Sequence, residues 1–268
     1  MAEYITIAQA REMNGLRIVL APGSISPWSE ALKQILNVKQ LPFVWVAPKM
    51  PGPDPELQQW SAQTSVPVAV WNDERPRSSW LEQLYLAERL QPEPALIPAA
   101  LEDRILMFGY INEIAGENGL AWSQRLMALH KRFTGSERFE HHRFKDWESI
   151  LEYSRYLGNK YGYNATAAQA APQRTAEVLG GLDAQLARQR ARASRFLIGD
   201  RLSALDVYWA AFSLGLSLPP PEWIPTISPA QRKMMERHHP LVERAVTPRI
   251  VEHRDFIYRD YLKLPVDF

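Results

Sequence analysis

The sequence predicts an α/β domain followed by an all-α domain, and three observations lead to this prediction. Up to residue 90, apolar runs typical of buried strands alternate with runs at helical spacing. A proline-rich stretch then follows, and proline-rich segments act as stiff connectors. Beyond it nearly every periodic segment has the spacing of an amphipathic helix. We therefore expect an α/β domain over 14–90, a linker over 91–99 and a helical domain over 100–268.

The first domain shows the alternation most clearly. Its predicted buried strands lie at 16–20, 43–46 and 68–71. A helix is predicted over 27–36, because proline stands at its first position and a serine precedes it. A second helix is predicted over 79–90, so that the segment order is that of an α/β unit.

The second domain is helical throughout by its pattern. Ser203 and Asp206 have the spacing of a capping box, with aspartate in the position usually held by glutamate or glutamine. The predicted helices span 101–115, 120–133, 144–161, 172–192 and 204–214.

Composition excludes several classes of function. The 268 residues hold 31 Lys and Arg against 30 Asp and Glu, so the net charge of +1 favours neither nucleic acid nor an anionic membrane surface as a partner. Cysteine is absent, which excludes disulfides, thiolate metal sites and a thiol nucleophile borne by the protein. No apolar run is long enough to span a membrane. The start of the chain lacks the features of a secretory signal, so we expect a cytoplasmic protein.

Pro67 opens an apolar segment that has the pattern of a strand. This is unusual, because proline lacks a backbone donor and has a fixed φ. A thioredoxin-type sheet is one setting that favours it, since a cis bond between Val66 and Pro67 turns the main chain of Val66 outward, free to pair with an extended peptide. Such a bond costs about 0.5–1 kcal/mol over the trans form. Ser78 and Ser79, at the start of the next predicted helix, supply the second half of a peptide site.

Four motifs, in this order, resemble those of the cytosolic glutathione S-transferases, and the similarity covers roughly residues 14–262. The motifs are Gly23-Ser24-Ile25-Ser26-Pro27-Trp28 between the first strand and helix, Val66-Pro67, the helix from Ser79 to Leu90, and the segment from Phe196 to Val207. The resemblance implies a thioredoxin-like N-terminal domain, glutathione as co-substrate, a small hydrophobic electrophile as second substrate, a homodimer and a role in detoxification.

The resemblance also implies the catalytic residue. Ser26 is preferred as the hydroxyl that activates the glutathione thiol, because it directly precedes the proline that opens the helix, and Ser24 is the alternative. The other alternative is that Ser26 is only an N-cap, although one hydroxyl can both cap a helix and donate to a thiolate. Lowering the thiol pKa from about 8.5 by about two units requires roughly 2.7 kcal/mol. A hydroxyl hydrogen bond of about 1.5–3 kcal/mol and a helix N-terminus of about 0.3–1 kcal/mol are together sufficient.

The glutathione-binding residues implied by the resemblance lie in two segments. Ser79 would bind the γ-glutamyl carboxylate at the start of its helix. The family usually has an acidic residue or glutamine just before this serine, and Ser78 stands there instead. The remaining implied contacts are the main chain at Val66 and Pro67 for the cysteinyl unit, with Gln63 and Thr64 for the glycyl end.

Other side chains carry weaker signals. Tyr110, Trp122 and Arg125, with Trp147 and Tyr161, are candidates for the electrophile pocket, although aromatic residues at helical spacing are more often core. Adjacent histidines at 141–142 and 238–239 point apart on a helix, so no metal site is predicted.

The predicted function is a glutathione transferase that activates the thiol for attack on a hydrophobic electrophile. One alternative is a glutathione-fold binding protein without turnover. Another is a glutathione-dependent enzyme that cleaves ethers or removes halide by the same thiolate attack. Thiol exchange is disfavoured, because a serine cannot form the mixed disulfide that this chemistry requires.

Overall fold

The computed structural model describes residues 3–23, 26–50, 52–136, 144–236 and 239–267. The first part of the chain forms a four-stranded sheet with strand order β1-β3-β2-β4. Strand β3 runs parallel to both of its neighbours, β1 and β2, and β4 runs antiparallel to β2. The strands are β1 (Tyr4–Thr6), β2 (Leu16–Val19), β3 (Val44–Ala47) and β4 (Val68–Trp71).

Four helices accompany this sheet, and the first strand and helix precede residue 14, where we expected the domain to begin. Strand β1 has only three residues, too few for a hydrophobic period to be visible. The first helix begins after Thr6, whose side chain forms a capping box with Gln9. The helices are α1 (Ile7–Arg11), α2 (Pro27–Val38), α3 (Pro55–Ser61) and α4 (Trp80–Leu90).

The second part of the chain is helical, as predicted. The helix expected from Pro172 begins earlier, at Ala165, because Asn164 caps it by accepting a hydrogen bond from the Ala167 amide at 2.8 Å. Pro172 therefore lies inside the helix. The helices are α5 (Leu101–Ala115), α6 (Leu120–Phe133), α7 (Trp147–Lys160), α8 (Ala165–Ala191), α9 (Ala204–Ser213), α10 (Pro229–Met235), α11 (Pro240–Ala245) and α12 (Pro248–Tyr261).

Helix α9 lies at the centre of the core and contacts α2, α5 and α12. The predicted capping box at its start is present, with the Ser203 hydroxyl 2.7 Å from Asp206 Oδ2. Asp206 also accepts hydrogen bonds from the Leu197 amide at 2.8 Å and contacts His253 Nε2 at 3.0 Å. Since α2 packs on this anchored helix, the start of α2 has a fixed position relative to the helical domain.

The linker after α4 is held by a buried lysine. The Lys39 ammonium donates to the carbonyl oxygens of Gln91 at 2.7 Å and Pro94 at 3.0 Å, and it pairs with Glu88 at 2.8 Å. A buried cation with several oxygen partners stabilises the geometry that it bridges. Among the helices that the structure describes, none is both long and apolar enough to cross a membrane.

Candidate functional site

A cavity of ≈ 190 Å³ lies between the sheet domain and the helical domain. We call its two sides the sheet wall and the helical wall. The sheet wall is formed by Ala21, Ser26, Trp28, Pro48, Met50, Gly52, Asp54, Leu57, Thr64, Ser65 and Val66. The helical wall is formed by Arg125, Arg132, Phe144, Ile150, Tyr153, Tyr156, Leu157, Lys160 and Tyr161.

Ser26 lines this cavity as the N-cap of α2. Its Oγ accepts a long hydrogen bond of 3.4 Å from the Ser29 amide, and Pro27 occupies the first helical position. A hydroxyl that accepts in this way still has its own proton to donate. The cap and a donor role are therefore compatible at this position. Ser24 lies outside the described residues.

Trp28 ties the start of α2 to the helical domain. Its indole Nε1 donates to the Ala115 carbonyl oxygen at 3.0 Å, and its ring meets Phe212 edge-on at a centroid distance of 5.1 Å. These contacts hold the N-terminal turn of α2 in a fixed position against the helical domain.

The segment before β4 forms the opposite part of the sheet wall. The Val66–Pro67 bond is cis, as predicted. Thr64 and Val66 line the cavity, and the main chain of Val66 has no hydrogen-bond partner among the residues that the structure describes. Gln83, which sequence reasoning missed, donates to the carbonyl oxygens of Pro67 at 3.0 Å and Arg77 at 3.1 Å. This buried amide fixes the segment against the start of α4.

Four of the predicted glutathione contacts do not line the cavity, namely Pro67, Ser78, Ser79 and Gln63. Ser79 is the exposed N-cap of α4 and accepts from the Glu82 amide at 3.2 Å, and Ser78 beside it is half-buried. The backbone N–H of Gln63 donates to Ser61 Oγ at 3.2 Å. Arg77 pairs through its main chain with Ala69 of β4, so the two serines follow directly from the edge of the sheet.

Of the predicted electrophile contacts, Arg125 lines the cavity. Trp122 lies behind its wall, with its indole Nε1 donating to the Tyr161 carbonyl oxygen at 3.0 Å and its ring 4.6 Å from that of Tyr161. Tyr110 lies elsewhere, because its hydroxyl accepts from Arg188 on α8 at 3.0 Å. Trp147 does not line the cavity, whereas Tyr161 does.

Two cations flank the ring of Tyr161 on the helical wall. The Arg125 guanidinium lies 5.6 Å and the Lys160 ammonium 5.4 Å from the ring centroid. Although much of Lys160 is exposed, desolvation lowers the pKa of its ammonium to about 8, and the charge of Arg125 adds to the effect. Both causes act on the protonated form.

Among the described residues that line the cavity, Asp54 is the one with a carboxylate side chain. Backbone amides donate hydrogen bonds to this carboxylate. Asp54 is 2% exposed and accepts from the amides of Lys49 at 2.6 Å, Glu56 at 2.8 Å and Leu57 at 3.4 Å. These bonds cap α3 and position the loop that carries Gly52.

A hydrogen bond joins the two walls. The Tyr156 hydroxyl donates to the Thr64 carbonyl oxygen at 2.9 Å. Sequence reasoning missed Tyr156 and Lys160, although Tyr153, Tyr156 and Lys160 recur at helical spacing along α7. A helix face that carries two tyrosines and a lysine indicates the lining of a polar cavity rather than a face buried in the core.

The fold is that of the glutathione S-transferases. The rice transferase OsGSTU1, solved in complex with glutathione, matches with a TM-score of 0.58 and 17% identity over 95% of this chain and 94% of its own. A glutathione S-transferase from Xanthobacter autotrophicus matches with a TM-score of 0.56 and 14% identity over 94% of this chain and 97% of its own. Yeast Ure2p in complex with glutathione matches with a TM-score of 0.52 and 14% identity over 87% and 98%. No family model and no curated relative matches the sequence.

The comparisons confirm the predicted fold, a thioredoxin-like domain followed by an all-α domain. At these identities they establish the fold alone.

Proposed function

We propose that this chain is a glutathione transferase, in which Ser26 activates the glutathione thiol for attack on an electrophile held by the helical wall. One observation carries the proposal. The hydroxyl of Ser26, with a proton left to donate, shares a cavity wall with the main chain of Val66, which no described residue pairs with. An extended tripeptide paired with that main chain would bring its sulfur to the N-terminus of α2.

The remainder of glutathione extends from this point in two directions. The γ-glutamyl end reaches Ser78 and Ser79, where the free amides at the start of α4 suit a carboxylate. The glycyl end lies toward Gln63 and Thr64. Pro67, held by Gln83, fixes the segment between these two ends.

The chemistry requires a thiolate. Only about 3% of a thiol with a pKa near 8.5 is ionised at pH 7, and a shift of about two units makes most of it ionised. A hydrogen bond from Ser26 and the helix N-terminus together supply the roughly 2.7 kcal/mol that this shift requires. The sulfur then forms a bond to the electrophilic carbon, and the leaving group departs with its electron pair.

The aromatic side chains of the helical wall provide the surface for the electrophile. Phe144, Tyr153 and Tyr161 offer apolar ring faces, and Arg125 offers a cation at the same wall. Trp122 acts behind Tyr161 as a support. Tyr110, bonded to Arg188, contributes to the helix packing around the pocket.

We also propose a homodimer, because α4 and α5 both expose large apolar side chains, and the rings of Tyr85 on α4 and Phe108 on α5 lie 5.7 Å apart. The exposed side chains are Leu81 (38% exposed), Tyr85 (50%), Leu101 (61%), Ile105 (61%) and Leu106 (47%). Large apolar patches on soluble proteins mark interaction sites. Sedimentation should show a dimer that dissociates in an Ile105→Glu variant, and a monomeric parent protein would contradict this assignment.

The expected location is the cytoplasm, where cells keep a reducing glutathione pool. Conjugation of a hydrophobic electrophile there would serve detoxification. Removal of halide or cleavage of an ether uses the same thiolate attack and differs only in the leaving group.

A binding protein without turnover is the second candidate, favoured by one observation. Ser78 stands where the family usually has an acidic residue or glutamine, and neither it nor Ser79 lines the cavity. Loss of a charged contact to glutathione would weaken its binding.

Calorimetric titration with glutathione, followed by a panel of aryl halides, epoxides, isothiocyanates and peroxides, separates the two candidates. Binding together with conjugate formation, detected by mass spectrometry, supports the transferase. Binding without product from any member of the panel supports the binding protein. Absence of binding at millimolar glutathione overturns the transferase and supports a binding protein that carries another partner or a hydrophobic ligand.

A further inference from the structure

Arg125 and Lys160 give the helical wall positive charge that no carboxylate of the described residues pairs with. Arg125 and Lys160 converge on the single ring of Tyr161 from α6 and α7. Within the described part of the chain, neither cation forms an ion pair with a carboxylate. Arg132, about two turns further along α6, also lines this wall and has partners of its own, among them the Ser154 hydroxyl at 3.4 Å.

The single acidic side chain on the described walls does not supply the missing countercharge. Asp54 is buried and engaged by backbone amides at the start of α3, on the sheet side of the cavity. The aromatic face of Tyr161 offsets part of the repulsion between the cations, since a ring face is electron-rich. A full negative charge would offset more.

Resting on the proposed function, we propose that the electrophile is an aromatic or apolar molecule that carries a carboxylate, bound by Arg125 and Lys160. The rings of the helical wall would hold its apolar body, while the two cations receive its negative group. The reacting carbon would then face Ser26 across the cavity. Glutathione itself occupies the sheet wall, so its own carboxylates lie away from this pair.

The reaction balances without any further reagent. With an aryl chloride, the thiolate sulfur bonds to the ring carbon that bears chlorine, and chloride leaves with the bonding electron pair. The thiol proton passes to solvent. The carboxylate of the electrophile takes no part in bond exchange and serves only to orient the ring.

Direct binding tests the anionic site without any dependence on glutathione. Calorimetric titration of the full chain with 3,5-dinitrobenzoate and with the neutral 3,5-dinitrobenzamide compares ligands of the same shape. We expect the benzoate to bind about tenfold more tightly, the effect of one charge-assisted hydrogen bond. Equal affinity for the two ligands, or tighter binding of the amide, overturns the proposal.

Matched variants assign the preference to the two cations. Lys160→Met and Arg125→Gln should each remove most of the benzoate preference while leaving amide binding unchanged. Arg155→Gln is the control, because Arg155 lies on the same helix, is 59% exposed and pairs with Glu148 outside the cavity. A preference that survives both cavity variants overturns the assignment.

Kinetics distinguish this inference from a failure of the proposed function. With 4-chloro-3,5-dinitrobenzoate and its amide as electrophiles, Lys160→Met should raise the KM of the benzoate about tenfold and leave the KM for glutathione unchanged. If the variant instead weakens glutathione and leaves the benzoate unaffected, the cations serve glutathione and the inference is wrong. Absence of turnover together with retained benzoate preference refutes the transferase alone.

Discussion

The two walls of the cavity recognise ligands by different means. The sheet wall presents short side chains and main chain, at Ser26 and over 64–66, whereas the helical wall presents long aromatic and cationic side chains. The positions of main-chain donors and acceptors are fixed by the fold, so they suit a ligand that is the same in every reaction. Side chains on a helix can change from one sequence to another without loss of the fold. In the proposed function, the sheet wall would therefore hold the constant substrate, and the helical wall would select the electrophile.

Ser26→Ala should have the largest effect on this division. Without the hydroxyl the bound thiol loses a hydrogen bond to its anion, which lowers kcat/KM about 10–100-fold. Loss of the α2 cap costs about 1 kcal/mol of stability, so thermal unfolding should confirm that the variant remains folded. Ser26→Thr, which keeps the hydroxyl, is the control. Unchanged turnover in the alanine variant would refute the role of Ser26.

Lys160 should give the helical wall a pH dependence that the sheet wall lacks. Its pKa of about 8 means that it loses its charge as the pH rises from 7 to 9. The affinity for 3,5-dinitrobenzoate should fall about threefold to tenfold over this range, and Lys160→Met should bind it weakly at every pH. Calorimetry at several pH values measures this.

The other charged and titratable groups near Lys160 leave Lys160 as the group expected to cause this pH dependence. Arg125 and Arg132 on α6 keep their charge, as arginine does in proteins, and Asp54 on the sheet wall is engaged by amides. Two tyrosines also lie near Lys160: Tyr156 on α7 and Tyr161 directly after it. A pH dependence that persists in Lys160→Met would assign the effect to one of these groups instead.

Ser78→Gln should strengthen glutathione binding and leave the helical wall unchanged. Glutamine at this position restores the side chain usual in the family, and one added hydrogen bond should raise glutathione affinity about fivefold. Benzoate affinity should not change, since the substitution lies outside the helical wall. Ser78→Ala serves as the control for loss of the native hydroxyl. A gain in benzoate binding would contradict the separation of the two walls.

Tyr156→Phe should have the smallest effect, because it removes one exposed hydrogen bond between the walls. The lost bond to Thr64 is worth about 0.5 kcal/mol, which corresponds to about a twofold increase in the KM for glutathione. Steady-state kinetics with both substrates would detect it. If the KM of the electrophile rises twofold while the KM for glutathione does not change, Tyr156 acts on the electrophile alone.

Two features of the sheet wall, the cis bond before Pro67 and the cap at Ser26, were predictable from the sequence. Pro67 in a strand pattern and the Ser26–Pro27 start of a helix are local signals, and each depends on backbone constraints of a single residue type. The cis bond and the cap were therefore predictable from their immediate neighbours. Strand β1 and α1 were missed because short elements carry no period.

The helical wall was less predictable because its members meet only in the folded chain. Arg125 and Lys160 lie on different helices, and nothing in the spacing of either helix indicates that both approach Tyr161. Tyr110 was predicted for this wall on its residue type, yet its position on α5 directs it to Arg188. Tertiary packing decides which aromatic residues line a cavity.

The most direct measurement is a titration of the thiol of bound glutathione, followed by the ultraviolet absorption of its thiolate. The parent protein should show a thiol pKa about two units below that of free glutathione, and Ser26→Ala should return it most of the way toward the free value. A bound thiol that titrates like free glutathione in the parent protein, or identically in both proteins, would contradict activation by Ser26.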